Sequence, residues 1–201
     1  MSTRILSVIT AMVLTLCAAS ASAQQLTLGQ ISAYLNQLQT AQGGFTQINA
    51  DGTLSTGQIY IKRPGRIRFE YNAPSDSLVL ASGGQLAIFD ARSNTGPERY
   101  PLNQTPLSII LQQNVDLGRE DMVTNVVSDG TTTTVTAQDP DNPNYGSIQM
   151  VFTANPVELR QWIVTDEFGT ETTVILNDLI SGSSIRDILF NIRAETRNRA
   201  G

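Results

Sequence analysis

Few residues in this chain can do acid–base or nucleophilic chemistry. Its 201 residues include no histidine, one cysteine at Cys17 and one lysine at Lys62. Ser–His–Asp and Cys–His machinery therefore both lack their base. The usual zinc and copper sites fail with them, because they draw on His or Cys ligands. A Ser–Lys dyad would have to use Lys62, which sits in a strand-like run rather than in a serine-bearing motif. Neither a Walker phosphate loop nor a G-x-G-x-x-G occurs. What remains is carboxylate chemistry of the glycosidase kind, from 18 Asp and Glu residues. No pair among them stands out, and most fall where polar strand faces and turns would put them. Asp139-Pro140-Asp141-Asn142-Pro143-Asn144 is a poor calcium loop. Pro143 and Asn144 stand where a ligand and the turn glycine belong, and Met150 where the closing glutamate belongs. It reads as a proline-rich hairpin turn. Enzymatic activity is not expected, nor any metal or cofactor.

The N-terminus carries Arg4, an apolar stretch from Ile5 to Ala19, and then Ala21-Ser22-Ala23 with small residues at −3 and −1 of a cleavage site. Residues 1–23 thus have the three parts of a secretory signal, cleaved after Ala23, and the apolar run is too short to span a bilayer. Cys17 is preceded by Leu16 rather than a small residue, so it is expected to leave with the signal and not to carry lipid. Residues 24–201 then hold twelve basic and eighteen acidic residues, net −6, with no cysteine for a disulfide. That is enough chain for a single domain with its own core. An acidic balance does not suggest nucleic-acid or anionic-membrane binding.

Thr27 is placed to cap a helix whose Leu28, Ile31, Leu35 and Leu38 fall on one face, with Gln42-Gly43-Gly44 as its expected stop. Beyond it the apolar period changes from 3.6 to 2. Ile59 and Ile61, then Ile67, Phe69 and Tyr71, alternate with polar residues. Leu78 and Leu80 follow, then Leu86 and Ile88 with Phe89 on the opposite face. Further strands are read at 131–137, at Ile148, Met150 and Phe152, at 157–165 and at 170–176. The connectors carry turn chemistry: Asp51-Gly52, Pro64-Gly65, Ser82-Gly83-Gly84, Asp129-Gly130 and Phe168-Gly169. Such short links require antiparallel strands, and roughly ten of them suggest one curved sheet or barrel. One segment interrupts the meander. Thr105 as cap and Pro106 open a short helix in which Leu107, Ile110 and Leu111 share a face. It is either a plug in one end of a barrel or a lid over an apolar cavity, and periodicity alone favours the plug. Trp162 reads as plain core. Ser184–Ile192 reads equally as a helical turn or a strand.

Gly57-Gln58-Ile59-Tyr60-Ile61-Lys62-Arg63-Pro64 is followed by Arg68-Phe69-Glu70-Tyr71 and Pro74, then by Leu78 to Gly84 and Leu86 to Asp90. Together with Gly44-Phe45-Thr46-Gln47 upstream, this resembles the periplasmic outer-membrane lipoprotein carrier proteins of the LolA type. The likeness is specific over about residues 44–90 and looser beyond. Gly83 stands in place of the aspartate of the usual D-G turn, and some aromatic positions are aliphatic here, as at Ile67. The resemblance implies a mainly β fold, an unclosed and strongly curved antiparallel half-barrel with short helices as its lid.

It further implies a periplasmic, monomeric carrier of acylated lipoproteins. Such a carrier is loaded by an inner-membrane ABC-type exporter and unloads to an outer-membrane receptor. Its cavity wall would come from Ile59, Ile61, Ile67, Phe69, Tyr71, Leu78, Leu80, Leu86, Ile88, Ile148, Met150 and Phe152. The lid would include Leu107, Ile110 and Leu111. Arg63, the arginine of the family's K-R-P, would tie barrel to lid through hydrogen bonds to helix-end carbonyls. A binding or sensor module of the same fold, for another lipid or a glycolipid, is the alternative.

Overall fold

In the computed structural model, which describes residues 25–93 and 95–199, one antiparallel sheet of eleven strands organises the chain. Helix α1 (Leu28–Gln37) comes first, followed by β1 (Thr40–Ile48), β2 (Leu54–Lys62), β3 (Ile67–Tyr71), β4 (Leu78–Ser82), β5 (Gln85–Phe89) and β6 (Glu98–Pro101). A 3-10 turn (Leu102–Gln104) and α2 (Ser108–Leu111) separate these from β7 (Val123–Ser128), β8 (Thr132–Gln138), β9 (Ser147–Ala154), β10 (Val157–Thr165) and β11 (Glu171–Ser181). A final 3-10 turn (Asp187–Phe190) leads into α3 (Ile192–Arg199). The strand order is β6-β5-β4-β3-β2-β1-β11-β10-β9-β8-β7, so β1 and β11 meet in the middle while β6 and β7 are unpaired edges. The sheet is an unclosed half-barrel. The signal segment, Cys17 and the expected cleavage after Ala23 lie outside the described residues.

Local chemistry explains the element boundaries. The Thr27 side chain accepts from the Gln30 amide at 3.2 Å while the Gln30 side chain accepts from the Thr27 amide at 2.9 Å, a reciprocal capping box. Each of the five turn dipeptides or tripeptides read from the sequence sits between two consecutive strands. The expected helix stop does not. The helix ends at Gln37, and Gln42-Gly43-Gly44 lies inside β1, where the β1–β11 register shifts between Gln42 and Gly44. A side chain on Gly43 would put its Cβ 2.9 Å from the Asn177 carbonyl oxygen, so this glycine serves a bulge and a close strand approach. Gly57 is tighter still. A Cβ there would lie 2.0 Å from the Glu70 carbonyl oxygen and 2.7 Å from the Phe45 ring.

Both faces of the β2–β5 region are covered. On the concave face Ile59, Ile61, Ile67 and Phe69 join one large core with α1 and α2. Leu78 and Leu80, expected in the cavity wall, point the other way. They pair across the sheet with Glu70 and Arg68 and pack in a second cluster with Phe89, Ile185, Phe190 and Ile192. The reason is that residues 78–81 are apolar on both faces, because the C-terminal segment covers the convex side. That segment, read either way from the sequence, is a 3-10 turn and a helix. It is clasped by polar contacts: Arg68, itself buried, donates to Leu189 O (2.9 Å) and Glu195 (3.0 Å), and Asp187 meets Lys62 (2.6 Å) and Arg66 (2.8 Å).

Candidate functional site

Opposite that face, the curved sheet wraps an apolar interior. An edge-to-face chain of rings runs along it. Tyr71 and Phe45 lie 5.1 Å apart, Phe45 and Phe69 5.3 Å, Phe69 and Trp162 6.2 Å, all near-perpendicular. The absence of a side chain at Gly57 is what lets the Phe45 ring lie against the sheet. Beside these rings an open cavity of about 470 Å³ remains, walled by Phe69, Tyr71, Leu86, Ile88, Trp162 and Val174 and floored towards the lid by Pro106 and Leu107. The Tyr71 hydroxyl donates to Gln47 Oε1 at 2.6 Å, and burial pushes its pKa up to about 12. At the rim stand Tyr145, Asp166, Glu167 and Phe168, the last 83% exposed.

The lid has two parts. Residues 102–122 connect the two edge strands and bury Leu102, Leu107, Ile109, Ile110, Leu111, Val115, Leu117 and Met122 in the concave core. Helix α1 lies beside them with Ile31, Leu35 and Leu38 buried, and Tyr34 meets Phe152 edge-to-face at 5.9 Å. Two polar ties join the parts. Asn36 both donates to Val115 O (2.9 Å) and accepts from Val115 N (2.8 Å), and Ser32 Oγ accepts from Leu117 N at 3.0 Å. This segment closes over the concave face and is a lid in form. Its details differ from expectation. The helix begins at Ser108 without a side-chain cap, and Thr105 instead donates its hydroxyl to Leu102 O at 2.8 Å, closing the preceding turn. Ile109 is as buried as Leu107, Ile110 and Leu111, because only the Ser108 side of this four-residue helix reaches solvent.

Arg63 joins lid to barrel. It lies in the β2–β3 connection and is only 5% exposed. Its guanidinium donates to the carbonyl of Leu35 in the last turn of α1, and through Nε and Nη2 to the carbonyl of Gln112 just after α2, with Nε at 3.2 Å. Asn36 Oδ1 is 3.4 Å from Nη2. Helix C-termini leave carbonyls without intrahelical partners, and a planar five-donor fork suits two of them at once. Burial lowers the pKa of Arg63 from its usual value. Neighbouring backbone adds to the joint, with Gly65 N donating to Leu111 O and Arg63 N to Gln39 O, each at 2.8 Å.

Of the residues expected in the wall, Phe69, Tyr71, Leu86 and Ile88 border the open cavity. Ile59, Ile61, Ile67, Ile148, Met150 and Phe152 face the same side but are buried beneath the lid. Trp162, read as plain core, and Val79 border the cavity too. Trp162 pairs with Met150 across β9–β10, a register that single-strand periodicity does not supply. Among the described residues no group of three or more His, Cys, Asp or Glu could hold a metal ion.

The family model of the outer membrane lipoprotein carrier protein LolA matches residues 36–193 of the chain, a span from the end of α1 to the start of α3. The chain belongs to the LolA family. The outer-membrane lipoprotein carrier protein of Coxiella burnetii (strain CbuK_Q154) is 26% identical over 181 residues, covering 86% of this chain and 85% of that one. That of Chromobacterium violaceum is 25% identical over 165 residues, 79% of each chain. A crystal structure of a LolA superfamily protein from Nitrosomonas europaea aligns over 83% of this chain and 98% of its own, at 12% identity and a TM-score of 0.46. The half-barrel with lid helices expected of a LolA-type chain is the fold observed in the sheet order and helix placement.

Proposed function

We propose that this protein is a periplasmic carrier that holds the acyl chains of lipoproteins on its concave face and shuttles them towards the outer membrane. The observation that carries the reading is a buried arginine holding two helix ends over an apolar cavity. Opening that lid unburies Ile31, Leu35, Leu38, Leu107, Ile109, Ile110 and Leu111. At about 1.5–3 kcal/mol per apolar side chain, this costs on the order of 10–20 kcal/mol. Acyl chains moving in recover about 0.8 kcal/mol per buried CH₂, so roughly 13–25 methylenes offset the opening. A cargo with two or three chains meets that requirement and a single short chain does not. The opened face would add Ile59, Ile61, Ile67, Ile148, Met150 and Phe152 to the wall.

Export with cleavage after Ala23 gives such a carrier freedom to diffuse, and an inner-membrane ABC-type exporter and an outer-membrane receptor are the partners the family role calls for. Among the described residues no helix is long and apolar enough to cross a membrane. The test is release: spheroplasts with labelled lipoproteins should shed them into solution as a complex with the added protein. If the label stays with the spheroplasts, the carrier reading fails. Mass spectrometry of lipid co-purifying with the protein separates lipoprotein from a free lipid or glycolipid ligand.

A further inference from the structure

The acidic balance of the chain hides an uneven distribution of charge. Exposed Arg92, Arg119 and Arg160 each pair with a carboxylate, at 3.5, 2.7 and 2.9 Å. Arg99, Arg186, Arg193 and Arg197 are exposed and have no acidic partner among the described residues. All four belong to the convex side, on β6 or on the C-terminal segment that covers it. Arg99 and Arg193 line a cleft beside the β4–β5 turn at Gly83, with the ion pair of Arg66 and Asp187 on its other side. Arg193 and Arg197, one helical turn apart, share the outward face of α3, while Ile192 is buried on its inward face. Ile188 in the adjoining turn is 54% exposed, an apolar side chain beside these cations.

We infer that this convex face docks on an anionic phospholipid bilayer, with a headgroup phosphate held between Arg99 and Arg193. Guanidinium groups match phosphate oxygens in fork geometry, and unpaired ones gain most from it. Charge complementarity sets the orientation. The cavity rim carries Asp166 and Glu167, which an anionic surface repels. The protein therefore lies on the bilayer by its convex back, with the cavity mouth directed away from the headgroups. The inference is independent of what the cavity holds.

The test uses the exported, processed protein and vesicles sedimented at low ionic strength. Binding is expected with phosphatidylglycerol vesicles and not with phosphatidylcholine alone, and it should fade as salt is raised. Near an anionic surface each arginine contributes about fivefold, so Arg193→Gln with Arg197→Gln should weaken binding roughly thirtyfold. Arg119→Gln with Arg160→Gln, away from the face, should leave it unchanged, and circular dichroism checks that both pairs fold. The inference is overturned by equal binding to phosphatidylcholine, by wild-type binding in the Arg193/Arg197 pair, or by equal loss in the control pair. Saturation by inorganic phosphate without vesicle binding overturns it too, by making the cleft a free-anion site.

Discussion

Replacing Arg63 by leucine keeps the volume of an apolar-stemmed side chain and removes every donor that ties the lid to the barrel. The carbonyls of Leu35 and Gln112 lose a charged donor in a buried setting. At roughly 1.5–3 kcal/mol for each, the closed lid loses about 3–6 kcal/mol. Gly65 N to Leu111 O remains, and the leucine recovers part of the loss by its own burial, so the low end is expected. That is about a hundredfold shift towards open forms. The amides of Val115 and Leu117 bond across to Asn36 and Ser32 between the two parts of the lid that Arg63 clamps together, so their hydrogen exchange reports the parting of those halves on opening. They should exchange about a hundredfold faster, while amides of the central strands β1 and β11 change far less. A cargo that needs the lid open should bind correspondingly more tightly and leave more slowly, so the variant loads but fails to transfer. Uniform acceleration of all amides, or none at Val115 and Leu117, would refute the assignment of Arg63 to the lid.

Other perturbations separate wall, scaffold and clasp. Gly57→Ala forces a Cβ into the Glu70 carbonyl and the Phe45 ring, and should cost about 3 kcal/mol in urea unfolding. Trp162→Ala should enlarge the cavity and cost about 3–5 kcal/mol, with cargo affinity altered in the same variant. Tyr71 is neutral in both states below about pH 10, and its raised folded pKa means stability declines as pH climbs from about 10 to 12. Tyr71→Phe should remove that part of the alkaline loss in denaturant titrations at pH 9 and 11.5. The Asp187 carboxyl is held below its usual range, chiefly by the Lys62 hydrogen bond, so its contribution is present above about pH 4 and is lost as pH falls below that. Asp187→Asn should flatten the acid dependence of hydrogen exchange at Leu189, and an unchanged acid profile would dismiss the clasp.

Strands β2, β3 and β8 to β11 are legible in the sequence because apolar and polar residues alternate along them and most of their turns carry glycine. The edges are not. In β6 all four residues are exposed, and β7 has no regular alternation, so neither shows a period-2 signal. Leu78 and Leu80 were placed on the wrong face because Leu78-Val79-Leu80-Ala81 has no polar side to fix the register. Only the C-terminal segment on the convex side explains that run, and its own sequence, rich in arginine, gives little sign of packing. Gly43 was misread because a bulge glycine and a helix-ending glycine look the same in sequence. Arg63 could be named only by its family pattern. What makes it a joint is the arrival of two helix ends from positions 28 and 49 residues away.

The central claim is that acyl chains occupy the concave cavity. A photoreactive amino acid at Leu86, in the cavity wall, and another at Leu80, on the opposite face of the neighbouring strand, compare the two sides of the sheet directly. With lipoprotein carrying radiolabelled acyl chains, irradiation should transfer label to the protein from position 86 and not from position 80. Labelling from position 80 alone, or from neither position in a complex that keeps the lipoprotein soluble, would contradict it.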